Sequence, residues 1–353
     1  MPLNPSLPQR LRALAGPFYV YGFSAVKWPL LRQCFAGQSL RPLPLRGPLN
    51  RESTVLLWGA TELPEYARDC RCVRIEDGFL RSVGLGVDLT WPLSWSIDAT
   101  GVHFDDSRPS DLELILANNQ WTDRQLQRAA ALRDRVVARG LTKYNTGGTP
   151  WRAPRTDRPI HLVIGQVPTD AAVRVAGPDR PYNLALLRAV RAAHPEAYLI
   201  YKIHPDVVAG MRRNEDALVE LQASCDEVLT ASDLVSVFDQ VDAVHVATSL
   251  AGFEALLRGI PVHCHGRPFY SGWGLTVDHA PATGRRYRAL TLDALVHGAL
   301  IDSPVYFARG FFGLATPEDA VARLAGVRPP SHGQVPTTRR VMRAVLRRMV
   351  GVR

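Results

Sequence analysis

Four short segments carry residue types that suit chemistry on an anionic ligand. In the stretch 245–275, an apolar strand ends in Ala247-Thr248-Ser249, a helix follows with Glu254 inside it, and a loop rich in Gly, His, Arg, Tyr and Trp comes after the next strand. Hydroxyls and free backbone N–H groups at a helix start favour an anion. A carboxylate one turn further in suits sugar hydroxyls. Ser249 is equally a helix cap, the ordinary reason for a serine at such a place. A second segment, Lys202-Ile203-His204-Pro205, closes another apolar run, with Pro205 stiffening the turn that aims His204. A third, Gly165-Gln166-Val167-Pro168-Thr169-Asp170, puts a carboxylate after the run 161–164; Asp170 also reads as a helix cap. The fourth, Ile75-Glu76-Asp77-Gly78-Phe79-Leu80-Arg81-Ser82, sets two adjacent carboxylates and an arginine behind a strand, where a surface turn is the competing reading.

The elements that must position these residues follow from periodicity. In the second half, strands are expected at 161–164, 197–203, 228–229, 243–246 and 261–264. Helices are expected at 182–194, 211–224, 234–240, 249–258, 292–299 and 317–325. Alternation at this spacing predicts an α/β fold with a doubly wound parallel sheet, and ligands then bind beyond the carboxyl ends of the strands. All four segments fall at such ends. In the first half, strands are expected at 54–58, 72–75 and 102–104, and helices at 110–117 and 121–139. The first helix opens on a capping box of Ser110 and Glu113; the second stops at Gly140. Residues 147–159, rich in Gly, Pro and Arg, read as a linker. The division expected is 1–146, linker 147–159, 160–330, and a basic tail 331–353. In 341–353 one helical face is apolar and the other carries arginines, the pattern of a helix docked on the protein or on an anionic membrane.

Composition narrows the classes. The chain has 353 residues, a net charge of +9, 46% hydrophobic and 21% charged residues, which describes a globular protein with an anionic partner. No apolar run reaches the roughly 18–20 residues of a membrane span, and the patch 16–26 makes a poor signal peptide, so a cytoplasmic location is expected. Arginines are dispersed and no nucleic-acid module is recognisable, so nucleic acid is not an expected partner. The five cysteines are an odd number without paired CxxC spacing, which suits reduced thiols. There is no Asp-x-Asp motif, no Walker A loop and no complete GxGxxG, only the fragment Gly84-Leu85-Gly86; a phosphate held by His, hydroxyls and a helix start needs no divalent metal.

The segments EDGFLRSVGLGVDL, PLSWSID, GVHFDDSRPSDLELIL, KYN (143–145), GQVPTDAAV, KIHPDV and TSLAGFEALLRGIPVHCHGRPFYSGWGLT, with YGFSAVKWPLLRQCF near the start, occur in the order in which the bacterial capsular β-Kdo transferases of the KpsC type carry theirs. The chain resembles that family over about residues 18–310. The resemblance implies a GT-B-like fold of two Rossmann-like, doubly wound domains facing a cleft. It implies transfer of Kdo from CMP-Kdo, with retained configuration, to a lipid-linked Kdo acceptor of phosphatidylglycerol type at the inner face of the cytoplasmic membrane. No metal or other cofactor is expected. Known members carry two such modules; this chain accommodates one, which raises another capsule Kdo transferase as a partner. By the same resemblance Asp170 is the nucleophile, and Glu76 or Asp77 the base. Arg81 binds a sugar carboxylate. Lys202, His204, Pro205, Thr248 and Ser249 hold the CMP phosphate, Glu254 binds ribose, and Gln166, His265, Arg267 and Tyr270 join the donor site. Two rivals stay open: an inverting CMP-sugar transferase of sialyl type, and a non-catalytic capsule export or assembly factor.

Overall fold

The computed structural model describes residues 11, 14, 16–47, 49–84, 90–168, 170–176, 183–208, 218–308 and 313–327. The tail 331–353 and part of the helix expected at 211–224 lie outside the described residues.

Two sheets organise the chain. The first has seven strands in the order β13-β12-β5-β4-β3-β1-β2: β1 is Phe18–Tyr21, β2 Leu40–Pro42, β3 Thr54–Trp58, β4 Arg71–Asp77, β5 Ser94–Asp98, β12 Pro304–Phe307 and β13 Leu314–Ala315. The second has six, β11-β10-β9-β6-β7-β8: β6 is Ile160–Ile164, β7 Tyr198–Lys202, β8 Glu227–Leu229, β9 Ala243–Val246, β10 Val262–Cys264 and β11 Val277–Asp278. Every pairing in the second sheet is parallel. Its β6, β7 and β9 are short apolar runs buried almost throughout, as strands covered on both faces must be.

The first sheet departs from the doubly wound expectation. Strands β2, β1, β3 and β4 run parallel, but β4–β5, β5–β12 and β12–β13 are antiparallel. The chain between β4 and β5 carries no helix in its described residues, so no crossover returns β5 in parallel. The division at 160–330 also needs amending, because β12 and β13 leave the second half and complete the first sheet. The strand expected at 102–104 is a loop; the strand of that region is β5.

Helix starts follow the caps read from sequence. Ser110 Oγ accepts from Glu113 N at 3.1 Å and opens Asp111–Asn118. The Glu113 carboxylate, expected to close that box, instead takes Arg285 at 2.8 Å. The helix Asp123–Ala138 opens on a complete Thr122/Gln125 box and ends before Gly140, whose φ of +57° suits glycine.

The two sheets share a core. Phe79, behind β4, stacks on Phe269, in the loop after β10, with centroids 4.5 Å apart, and both join the buried cluster that holds Leu162, Val244 and Phe253. The expected linker is pinned too: Trp151 is buried and its indole N–H reaches Glu227 at 3.1 Å. Among the described residues, no helix is long and apolar enough to cross a membrane, and all five cysteines are unpaired.

Candidate active site

A cavity of about 280 Å³ opens between the sheets. The end of β4 supplies Glu76 and Asp77, the loop after β6 supplies Gln166 and Asp170, the end of β7 and the turn after it supply Lys202, His204 and Pro205, the turn after β9 supplies Thr248 and Ser249, and the helix that follows supplies Glu254. Thr142, Lys143, Tyr144 and Thr146 cross from the first half and complete the wall. The carboxyl edge of the parallel strands is thus where the candidate groups meet, as an open α/β sheet demands.

Asp170 is exposed, and its carbonyl accepts the N–H of Val173 and of Arg174 as the helix Ala171–Ala176 begins. The loop that carries it is locked. Gly165 leaves no room for a side chain, since a Cβ would lie 2.4 Å from Tyr201 Oη. Asn183, at φ +49°, uses its amide twice on Gln166: Oδ1 accepts from Gln166 N at 2.8 Å and Nδ2 donates to Gln166 O at 2.9 Å. Asparagine tolerates this left-handed conformation better than most residues.

Gln166 in turn grips Thr248. Its Oε1 accepts from Thr248 N at 2.8 Å and its Nε2 donates to Thr248 Oγ1 at 3.0 Å. Gln166 is therefore a positioning group, and the Thr248 N–H expected at an anion is already used. The hydroxyl proton of Thr248 is free to turn to a ligand. The helix begins later than expected, as Ala251–Leu257, with Leu250 at its cap. Ser249 lends its carbonyl to Gly252 N and to the Tyr270 hydroxyl. Tyr270, fully buried, holds this turn from behind, and Gly252 lets it in: a Cβ there would sit 2.3 Å from the phenol oxygen.

The basic side chains of the cavity are Lys202, His204 and Lys143. Burial brings the Lys202 ammonium down to about 8, against the pull of Asp233, and its Nζ donates to Ser232 O at 2.8 Å. Burial also lowers His204, opposed by Asp206 and Asp170. His204 Nδ1 accepts from Asp206 N at 3.1 Å, which places the ring proton on Nε2, ready to donate to an anion. Lys143 loses ground to burial but is held above the ordinary lysine range by Tyr144, Asp77, Glu76 and Asp170. Residue-level reading of the sequence missed Lys143, which lay inside the matched KYN motif but had no spacing to mark it. Its backbone N–H donates to Glu254 Oε1 at 2.6 Å, so Glu254, buried in its helix, ties the two halves together at the cavity wall.

The two acidic neighbours differ. Arg81 Nε donates to Asp77 Oδ2 at 2.5 Å, and the guanidinium also reaches Ser82 Oγ and Thr90 Oγ1. Among the described residues, Glu76 has no arginine partner of that kind. Burial and the charge of Asp77 raise it to about 7, moderated by the Asp77 N–H bond, Lys143 and Lys27.

Three expected ligand contacts lie elsewhere. Arg81 is buried behind Asp77 and outside the cavity wall, committed to that carboxylate. Arg267 pairs with Asp106 and donates to Pro281 O at 3.1 Å, which fastens the loop after β10 to the first half. His265 turns to His245, 3.2 Å away, and also lies outside the wall. Arg267 and His265 take partners from elsewhere in the chain, which no local pattern reveals, whereas Arg81 takes its partner from four residues back.

The fold and this cavity define an α/β protein with a cavity at the carboxyl edge of a parallel sheet, lined by carboxylates and basic side chains. Residues 134–306 match the family model described as capsule polysaccharide biosynthesis protein. The chain is 40% identical over 299 residues to the capsule polysaccharide modification protein LipA of Neisseria meningitidis serogroup B, covering 84% of this chain and 41% of LipA. It thus spans about two-fifths of the length of that curated relative. Two solved structures from Thermosulfurimonas dismutans match as well. The KpsC β-Kdo 2,7 transferase is 33% identical with a TM-score of 0.73, and the KpsC β-Kdo 2,4 transferase is 30% identical with a TM-score of 0.74; each match covers 88% of this chain and 98% of the other. The chain belongs to the capsule polysaccharide biosynthesis family that includes these KpsC β-Kdo transferases.

Proposed function

We propose that the chain is a retaining β-Kdo transferase that moves Kdo from CMP-Kdo to a lipid-linked Kdo acceptor during capsule linker synthesis. The observation that carries this reading is the meeting of Asp170 and Glu76, from opposite halves, in one cavity with Lys202, His204 and Lys143. His204 Nε2, the Thr248 hydroxyl and the Lys202 ammonium bind the CMP phosphate, and Glu254 receives ribose. An Asp170 oxygen attacks C2 of Kdo while the C2–O bond to phosphate breaks, and CMP leaves with the electron pair. The acceptor hydroxyl then attacks C2 from the opposite face, the ester bond to Asp170 breaks, and Glu76 takes the hydroxyl proton. Lys143 balances the negative charge that gathers among Glu76, Asp77 and Asp170. The reaction needs no metal.

The lipid acceptor places the enzyme at the inner face of the cytoplasmic membrane, with the basic residues of 339–353 on the anionic surface. The test is an incubation with CMP-Kdo and a synthetic Kdo-lipid acceptor. A β-linked Kdo product supports the reading; an α-linked product, or none with CMP-Kdo, contradicts it.

A further inference from the structure

Six of the chain's ten histidines lie outside the cavity in one continuous row. His161 in β6, His245 in β9 and His263 in β10 stand on neighbouring strands. Val163 is the register partner of His245, and His245 that of His263, so these rings project from one face. That face is the one on which Val163 packs against Leu187 and Val190 of the helix Asn183–Ala193. His194 follows directly after that helix. His161 and His245 centroids are 5.1 Å apart, His245 and His263 4.4 Å, and His265 and His279 4.3 Å. The row begins fully buried at His245 and ends exposed at His279, at the edge strand β11.

An apolar sheet face would ordinarily be covered by aliphatic side chains. Here it is covered by imidazoles, and three of them converge. One ring nitrogen each of His161, His194 and His245 lies within 4.8 Å of the others. His161 Nδ1 and His245 Nε2 are already 3.1 Å apart. A tetrahedral zinc with bonds of about 2.0–2.1 Å holds its nitrogens roughly 3.3 Å apart. His194 meets the other two rings at 4.6 and 5.3 Å between centroids, and its half-exposed ring closes the set by rotating in its loop. The second nitrogen of His245 is held by His265 at 3.2 Å, the outer-shell bond that fixes the orientation of a ligating imidazole.

We propose that His161, His194 and His245 form a binding site for a divalent transition metal of the zinc class. Imidazole-only donors select zinc, copper or nickel over magnesium or calcium. The site is structural: His161 stands three residues before the end of β6, roughly 10 Å along the strand from the cavity loop. Bound metal would fasten the end of the helix Asn183–Ala193 to β6 and β9.

The full chain, stripped with chelator and desalted, is titrated with zinc chloride by calorimetry and melted with and without zinc. The expected result is one zinc per chain, retained through desalting, with a higher melting temperature in its presence. His194→Asn, at a half-exposed loop position, should fold in the absence of zinc and bind it at least ~100-fold more weakly. His279→Asn, at the exposed end, should bind within about twofold of the native chain. Absence of stoichiometric binding overturns the proposal. So does binding that His194→Asn leaves unchanged, or that His279→Asn abolishes, since the site would then be the exposed edge.

Discussion

Arg81 Nε stands 2.5 Å from Asp77 Oδ2, and that contact gives two adjacent carboxylates different surroundings. Asp77 is held as a counter-charge to a buried guanidinium. Glu76, raised to about 7 by burial and by Asp77, is the one poised to exchange a proton near neutral pH. Glu76→Gln should lower kcat by at least about 100-fold with the fold intact. Asp77→Asn should chiefly destabilise, by about 3 kcal/mol, because it leaves the buried Arg81 charge without its carboxylate. Steady-state kinetics and thermal melts on both variants separate the two outcomes.

The same assignment fixes the pH dependence. The base must be deprotonated to accept the acceptor's proton, so kcat should rise with pH through an apparent pKa near 7 and level off above it. A kcat profile that is flat between pH 5.5 and 8 would remove Glu76 from the role.

Much of the second half was legible because each strand is a short apolar run and each helix a capped, periodic one. The carboxyl-edge placement of Asp170, His204 and Thr248 followed from that alternation. Strand β5 was missed because its buried residues include Ser94, Ser96 and Asp98, whose polar groups are satisfied by folding: Asp98 accepts from Gly101 N at 2.7 Å and from Asp111 N at 2.9 Å. The return of β12 and β13 to the first sheet was invisible, since strands of four and two residues carry no period and their partner is chosen by tertiary contact. Arg267 looked like a ligand contact because its partner, Asp106, is 161 residues away.

That last reassignment is testable. Arg267→Ala should lower the melting temperature, since it removes the guanidinium paired with the buried Asp106 carboxylate, yet keep the donor KM within about twofold of the native value. A large rise in donor KM without loss of stability would restore Arg267 to the donor site.

Asn183 controls the loop of Asp170 without facing the ligand. Asn183→Gly accepts the φ of +49° but loses both bonds to the Gln166 backbone, at a cost of about 2 kcal/mol. The loosened Gln166–Thr248 pair should then raise donor KM several-fold more than it lowers kcat. A fall in kcat with donor KM unchanged would indicate that the loop acts only in the chemical step.

Deleting residues 337–353 should reduce recovery in the membrane fraction and activity on a lipid-linked acceptor, while activity on a soluble Kdo acceptor persists. Unchanged recovery and unchanged activity on the lipid would exclude the tail as the membrane contact.

The central claim is that Asp170 carries Kdo covalently between donor and acceptor. Intact-protein mass spectrometry after incubation with CMP-Kdo, for the native chain and for Asp170→Asn, tests it directly. The account predicts a Kdo-sized adduct that maps to Asp170 and is absent from the variant. Normal transfer by Asp170→Asn, or an adduct that maps to another residue, would contradict it.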